Sequence, residues 1–90
     1  MELIQAAQRL MASDMSFNQQ ERLKTALERE AGSAVIDLHV RSCRPLDLTV
    51  TVADELGALR LAYVYRDSDT VHKIEVAQKG QHWVVTFIGE

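Results

Sequence analysis

With one cysteine, one proline and four glycines in 90 residues, this chain has few covalent or conformational devices with which to fix a structure. The lone Cys43 cannot close an intrachain disulfide, which excludes a disulfide-stapled scaffold. Scarce proline and glycine leave no linker composition, and no single-charge tract marks a disordered tail. No apolar run approaches the roughly 18–20 residues of a membrane-crossing helix, and no internal repeat is visible. A membrane span and a solenoid are therefore not expected. The opening Met-Glu-Leu-Ile-Gln-Ala-Ala-Gln lacks the basic start and apolar stretch of a secretory signal, so a cytoplasmic protein is expected. Ten Lys/Arg against thirteen Asp/Glu give a net charge of −3, a field that disfavours a polyanion and argues against nucleic acid as partner.

What is present is an ordinary globular composition, 47% hydrophobic and 26% charged, in a length that suits a single domain over 1–90 with one core. Leu3, Ile4, Ala7, Leu10 and Met11 recur at helical spacing and predict a short amphipathic helix over 2–12. Ser16 with Gln19 three residues later matches a capping box and predicts a second helix over 17–31, ended by Gly32.

From Ala34 onward, β-branched and aromatic residues alternate with polar ones. The breaks predict five strands, at about 34–41, 47–53, 58–66, 71–78 and 81–88. A Lys79-Gly80 turn would set Val76 against Trp83, Ile74 against Val85 and His72 against Phe87. Tyr65, Tyr63 and Leu61 would pair with His72, Ile74 and Val76, and Val52, Val50 and Leu48 with Leu59, Leu61 and Tyr63. Ile36, Leu38 and Val40 would complete the same apolar face. The expected fold is α+β: two N-terminal helices on one face of a five-stranded antiparallel meander, with the first and last strands as edges.

The second face of that sheet is half apolar with a charged surround. It carries the candidate protein-interaction residues Arg60, Ala62, Val64, Arg66, Lys73, Glu75 and Val84. Such a face suits a protein partner or a second copy of the chain, and a free edge strand offers the same by strand pairing. The expectation is a non-catalytic interaction or accessory domain, self-associating as a homodimer. An alternative is a small-ligand binder or enzyme with a pocket between helices and sheet near Tyr63, Tyr65, His72 and Trp83.

Chemical motifs are scarce. Cys43 lies between Arg41 and Arg44, which would favour a thiolate, but no oxyanion-binding loop follows it, so a reactive thiol is disfavoured. His39, His72 and His82 fall at separate places in the expected register, and Asp67 and Asp69 lack the remainder of a calcium loop. No catalytic residue, metal ligand or cofactor site is expected.

Overall fold

A computed structural model describes residues 17–43 and 45–89. The expected helix over 2–12 lies outside the described residues. In chain order the elements are α1 (Phe17–Ala31), β1 (Val35–Cys43), β2 (Leu46–Val52), α2 (Glu55–Tyr65), β3 (Val71–Lys79) and β4 (His82–Gly89). The class is α+β, but among the described residues the sheet has four antiparallel strands in the order β1-β2-β4-β3, not five in a meander, and α2 lies between β2 and β3 instead of joining α1 ahead of the sheet.

The difference originates at 55–65, where the expected turn through Gly57 and the expected strand from 58 to 66 are replaced by α2. Asp54 is extended at its N-cap, and its carboxylate accepts the Gly57 N–H at 2.8 Å, satisfying one of the helix's free donors while Glu55 suits the positive end of the macrodipole. Gly57, Ala58, Leu61 and Tyr65 are its buried residues, the three-and-four spacing of one helical face. The strand reading had used Leu59, Leu61, Tyr63 and Tyr65, so Leu61 and Tyr65 fit both periods. Between 58 and 65 only Val64 is β-branched, and the Ala- and Leu-rich remainder favours helix.

With α2 as the connection, β2 and β3 become parallel strands separated by β4, which is antiparallel to both. Strand β4 is therefore interior and β3 is the second edge. Its pairing with β2 sets Leu48 opposite Phe87, Val50 opposite Val85 and Val52 opposite Trp83, in place of the expected pairs with Leu59, Leu61 and Tyr63. The β3–β4 hairpin turns at Gly80-Gln81, so Val76 faces Val85 and Ile74 faces Phe87. That is a slip of two residues from the expected register, and a slip of two keeps each side chain on its own face. Gly80, at φ 65°, occupies the first central turn position, where a type II′ hairpin favours glycine.

Leu38 and Val40 pair with Val50 and Leu48 as expected, but Val35 takes the place opposite Val52 and a bulge separates it from Asp37. Ile36 is thereby turned out and left exposed. The Val35 N–H at this irregularity donates to the Glu28 carboxylate at 3.1 Å, so α1 supplies the acceptor that the ladder cannot. At the end of α1, Gly32 adopts φ 66° and its N–H donates to the Glu28 carbonyl at 2.8 Å, the left-handed cap expected there.

Both described helices cover one face of the sheet. Leu27 and Ala31 of α1 and Ala58, Leu61 and Tyr65 of α2 pack on Leu46, Leu48, Val50 and Val52 of β2 and on Val85 and Phe87 of β4. Tyr65 meets Phe87 edge to face, with ring centres 5.6 Å apart, a favoured arrangement of aromatic quadrupoles.

Candidate interaction surfaces

The uncovered sheet face presents the rows Asp37–Thr51–Val84–Ala77 and His39–Thr49–Thr86–Glu75 across its four strands. Its centre is threonine and valine, half-buried between neighbouring strands, and its charges sit on the two edge strands and at Asp47, the second residue of β2. On one side, Arg41 donates to the Asp47 carboxylate and, at 2.7 Å, to the Thr49 hydroxyl. The hydrogen bond from Arg41, supported by its charge, holds the Asp47 carboxyl below the usual carboxylate range and raises Arg41 in turn. On the other side, Lys73 pairs with Glu75 at 2.8 Å, a bond that raises the lysine pKa. The charges of this face largely neutralise one another.

The sheet edges differ. Strand β1 carries two register shifts, at 35–37 and 40–42. Strand β3 pairs regularly from Lys73 to Lys79 and is blunted by those two lysines instead. Bulges and lysines both discourage edge-to-edge pairing.

Helix α2 provides a third surface, one that the strand reading concealed. Opposite its buried side lie Leu56, Leu59 and Tyr63, at 57%, 49% and 66% exposure, with Val64 also exposed. Spaced i, i+3 and i+7, the first three form one ridge along the helix. The signal was present in the sequence, but only a helical period brings these residues together. The Arg66 guanidinium lies 4.4 Å from the centre of the Tyr63 ring, a cation–π position, and reaches Asp67 at 3.5 Å. Arg60 points elsewhere: a β-carbon built on Gly32 would meet its guanidinium, so this cation sits at the negative end of α1.

The expected interaction residues therefore fall on two surfaces. Arg60, Ala62, Val64 and Arg66 belong to α2 and not to the sheet, whereas Lys73, Glu75 and Val84 belong to the uncovered sheet face. Arg60 and Arg66 lie on the helix side of the sheet and Arg41 and Lys73 on its uncovered face, so these four cations form no single basic stripe.

The alternative pocket residues are dispersed as well. Tyr63 is on the outer side of α2 and Tyr65 in the core. His72 is exposed, not core-facing, and stands at the opposite end of the β3–β4 hairpin from half-buried Trp83. Burial and a hydrogen bond to Glu30 push the Tyr65 phenol well above its ordinary pKa, marking it as a packed α1–α2 tie. Cys43 closes β1. Among the described residues no three His, Cys, Asp or Glu side chains gather as a metal site, and no helix is long and apolar enough to cross a membrane. Comparison with protein-family models, with curated proteins and with solved structures finds no match for this chain.

Proposed function

We propose that this chain is a non-catalytic protein-interaction domain, an accessory or regulatory module of the cytoplasm, that binds a protein partner through the outer side of α2. The observation that carries the reading is the ridge of Leu56, Leu59 and Tyr63, about half exposed or more on a helix whose opposite side is already in the core. A surface helix ordinarily turns charged and polar residues outward. A contiguous row of large apolar side chains costs solubility and is the usual signature of a docking surface. Exposed Tyr and Leu beside a guanidinium also suit the composition of protein interfaces, where aromatic residues and arginine are enriched.

The test uses the full chain as bait in cell extract, alongside Leu59→Glu and, on the uncovered sheet face, Thr51→Glu. Circular dichroism verifies that each variant is folded. The reading expects proteins retained by the parent and by Thr51→Glu to be lost from Leu59→Glu. The same set retained by all three baits would overturn it.

A further inference from the structure

We propose, building on the interaction reading above, that the occupant of the α2 ridge is a second copy of this chain, whose own α2 lies antiparallel across a twofold axis. The ridge and the charges that flank it are self-complementary. Glu55 opens the helix and Arg66 is its C-cap, eleven positions apart or roughly 16 Å at 1.5 Å per residue. At 100° per residue both fall on the same flank of the Leu56–Leu59–Tyr63 ridge. An antiparallel copy brings each Glu55 to the other copy's Arg66, forming the same pair twice. A parallel copy sets the two Glu55 and the two Arg66 level with one another on opposite rims of the seam, and forms neither pair. An isologous contact requires such reciprocity, since a residue that meets its opposite number must be met by it in return.

The apolar seam has the same symmetry. With Leu59 near the axis, it meets its own copy, while Leu56 falls between Leu59 and Tyr63 of the second chain, as side chains on i±3 and i±4 ridges interlock. The guanidinium of Arg66 is already held over the Tyr63 ring, at the rim where the facing Glu55 arrives. Antiparallel macrodipoles add to the arrangement. Strand edges compete poorly, because β1 is bulged and β3 carries Lys73 and Lys79. The ridge is only about two helical turns long, which places the contact at the small, weak end of specific interfaces. Association is therefore expected to depend on concentration.

Sedimentation of the full chain over a wide concentration range tests this. The expected mass rises from that of one chain to that of two. Leu59→Glu holds it at one while leaving the circular dichroism spectrum unchanged. Glu55→Arg and Arg66→Glu, each replacing two attractive contacts with two repulsive ones, each weaken association by roughly tenfold. The double exchange Glu55→Arg/Arg66→Glu restores it.

Restoration is the discriminating result, because both exchanges oppose the macrodipole and would only harm an isolated helix. A parent chain that stays monomeric throughout, or a dimer that the double exchange fails to restore, overturns the proposal. Either failure leaves the interaction reading standing unless Leu59→Glu also leaves the proteins retained from extract unchanged.

Discussion

Replacing Gly57 with alanine should destabilise this protein, against the ordinary rule for a helix. Within an isolated helix, Gly→Ala gains about 1 kcal/mol from propensity. Here a β-carbon on Gly57 would lie 2.6 Å from Ser33 Cβ, 3.1 Å from Ser33 Oγ and 3.2 Å from Asp54 Oδ1. Carbon–carbon contact is optimal at about 3.5–4.0 Å, so the nearest approach is short by about 1 Å. The obstructing atom is fixed to the backbone and cannot rotate away. Overpacking of this kind costs about 1–3 kcal/mol, and displacing Asp54 would weaken the cap as well. The net expectation is a loss of about 1–2 kcal/mol. With a urea m-value near 1 kcal/mol/M for a small domain, the midpoint should fall by about 1–2 M. Ser33→Gly removes the obstruction, so in that background Gly57→Ala should become neutral or stabilising. This is a coupling that a double-mutant cycle measures directly. A higher midpoint for Gly57→Ala alone, or the same effect in both backgrounds, would refute the close approach of α2 to the end of α1.

Other expectations follow from single contacts. Asp54→Ala should lose about 1 kcal/mol by deleting the N-cap of α2, read as a lower urea midpoint, with Asp54→Ser recovering most of it. Because the Tyr65 phenol has a raised pKa in the folded state, its stabilising contribution is complete below the unfolded value of about 10 and is lost as pH climbs beyond it. Stability should fall across that alkaline range, and less steeply in Tyr65→Phe; equal slopes would contradict the Tyr65–Glu30 tie. Asp47 has a lowered pKa beside Arg41, so its contribution is present above the unfolded value and disappears as pH falls through the folded one. Both partners are more than a third exposed or nearly so, at 43% and 35%, and screening limits the effect to less than about 1 kcal/mol. An NMR titration placing Asp47 at or above the ordinary carboxylate value would contradict the pair.

Much of the core could be read from local pattern. The alternating Leu48, Val50 and Val52 admit one buried face, which Leu46, expected in the preceding turn, extends by one position, and Gly32 and Gly80 mark a helix end and a turn by the positive φ that both adopt. The hairpin register missed by two residues because a two-residue shift preserves the apolar face, leaving turn geometry alone to decide it. The larger error was at 58–65, where Leu61 and Tyr65 satisfy both a strand and a helix. Local alternation outweighed the Asp54-Glu55 start signal. Once that segment is helical, long-range pairing changes too, because a helix can carry the chain over β4 whereas a meander strand cannot. The ridge on α2 was hidden by the same error: as a strand, Leu59 and Tyr63 are core residues, and as a helix they face outward. Sequence pattern had no purchase on the bulge at Ile36, which depends on Glu28 being placed to accept the Val35 N–H.

The most direct test of self-association through α2 is the amide ¹H–¹⁵N correlation spectrum of the full chain, followed over increasing protein concentration. Progressive shifts grouped at 55–66 are expected, strongest around Leu56, Leu59 and Tyr63, with Thr49, Thr51 and Thr86 unmoved. Shifts grouped on the threonine face or along β3, or none at any concentration, would contradict it.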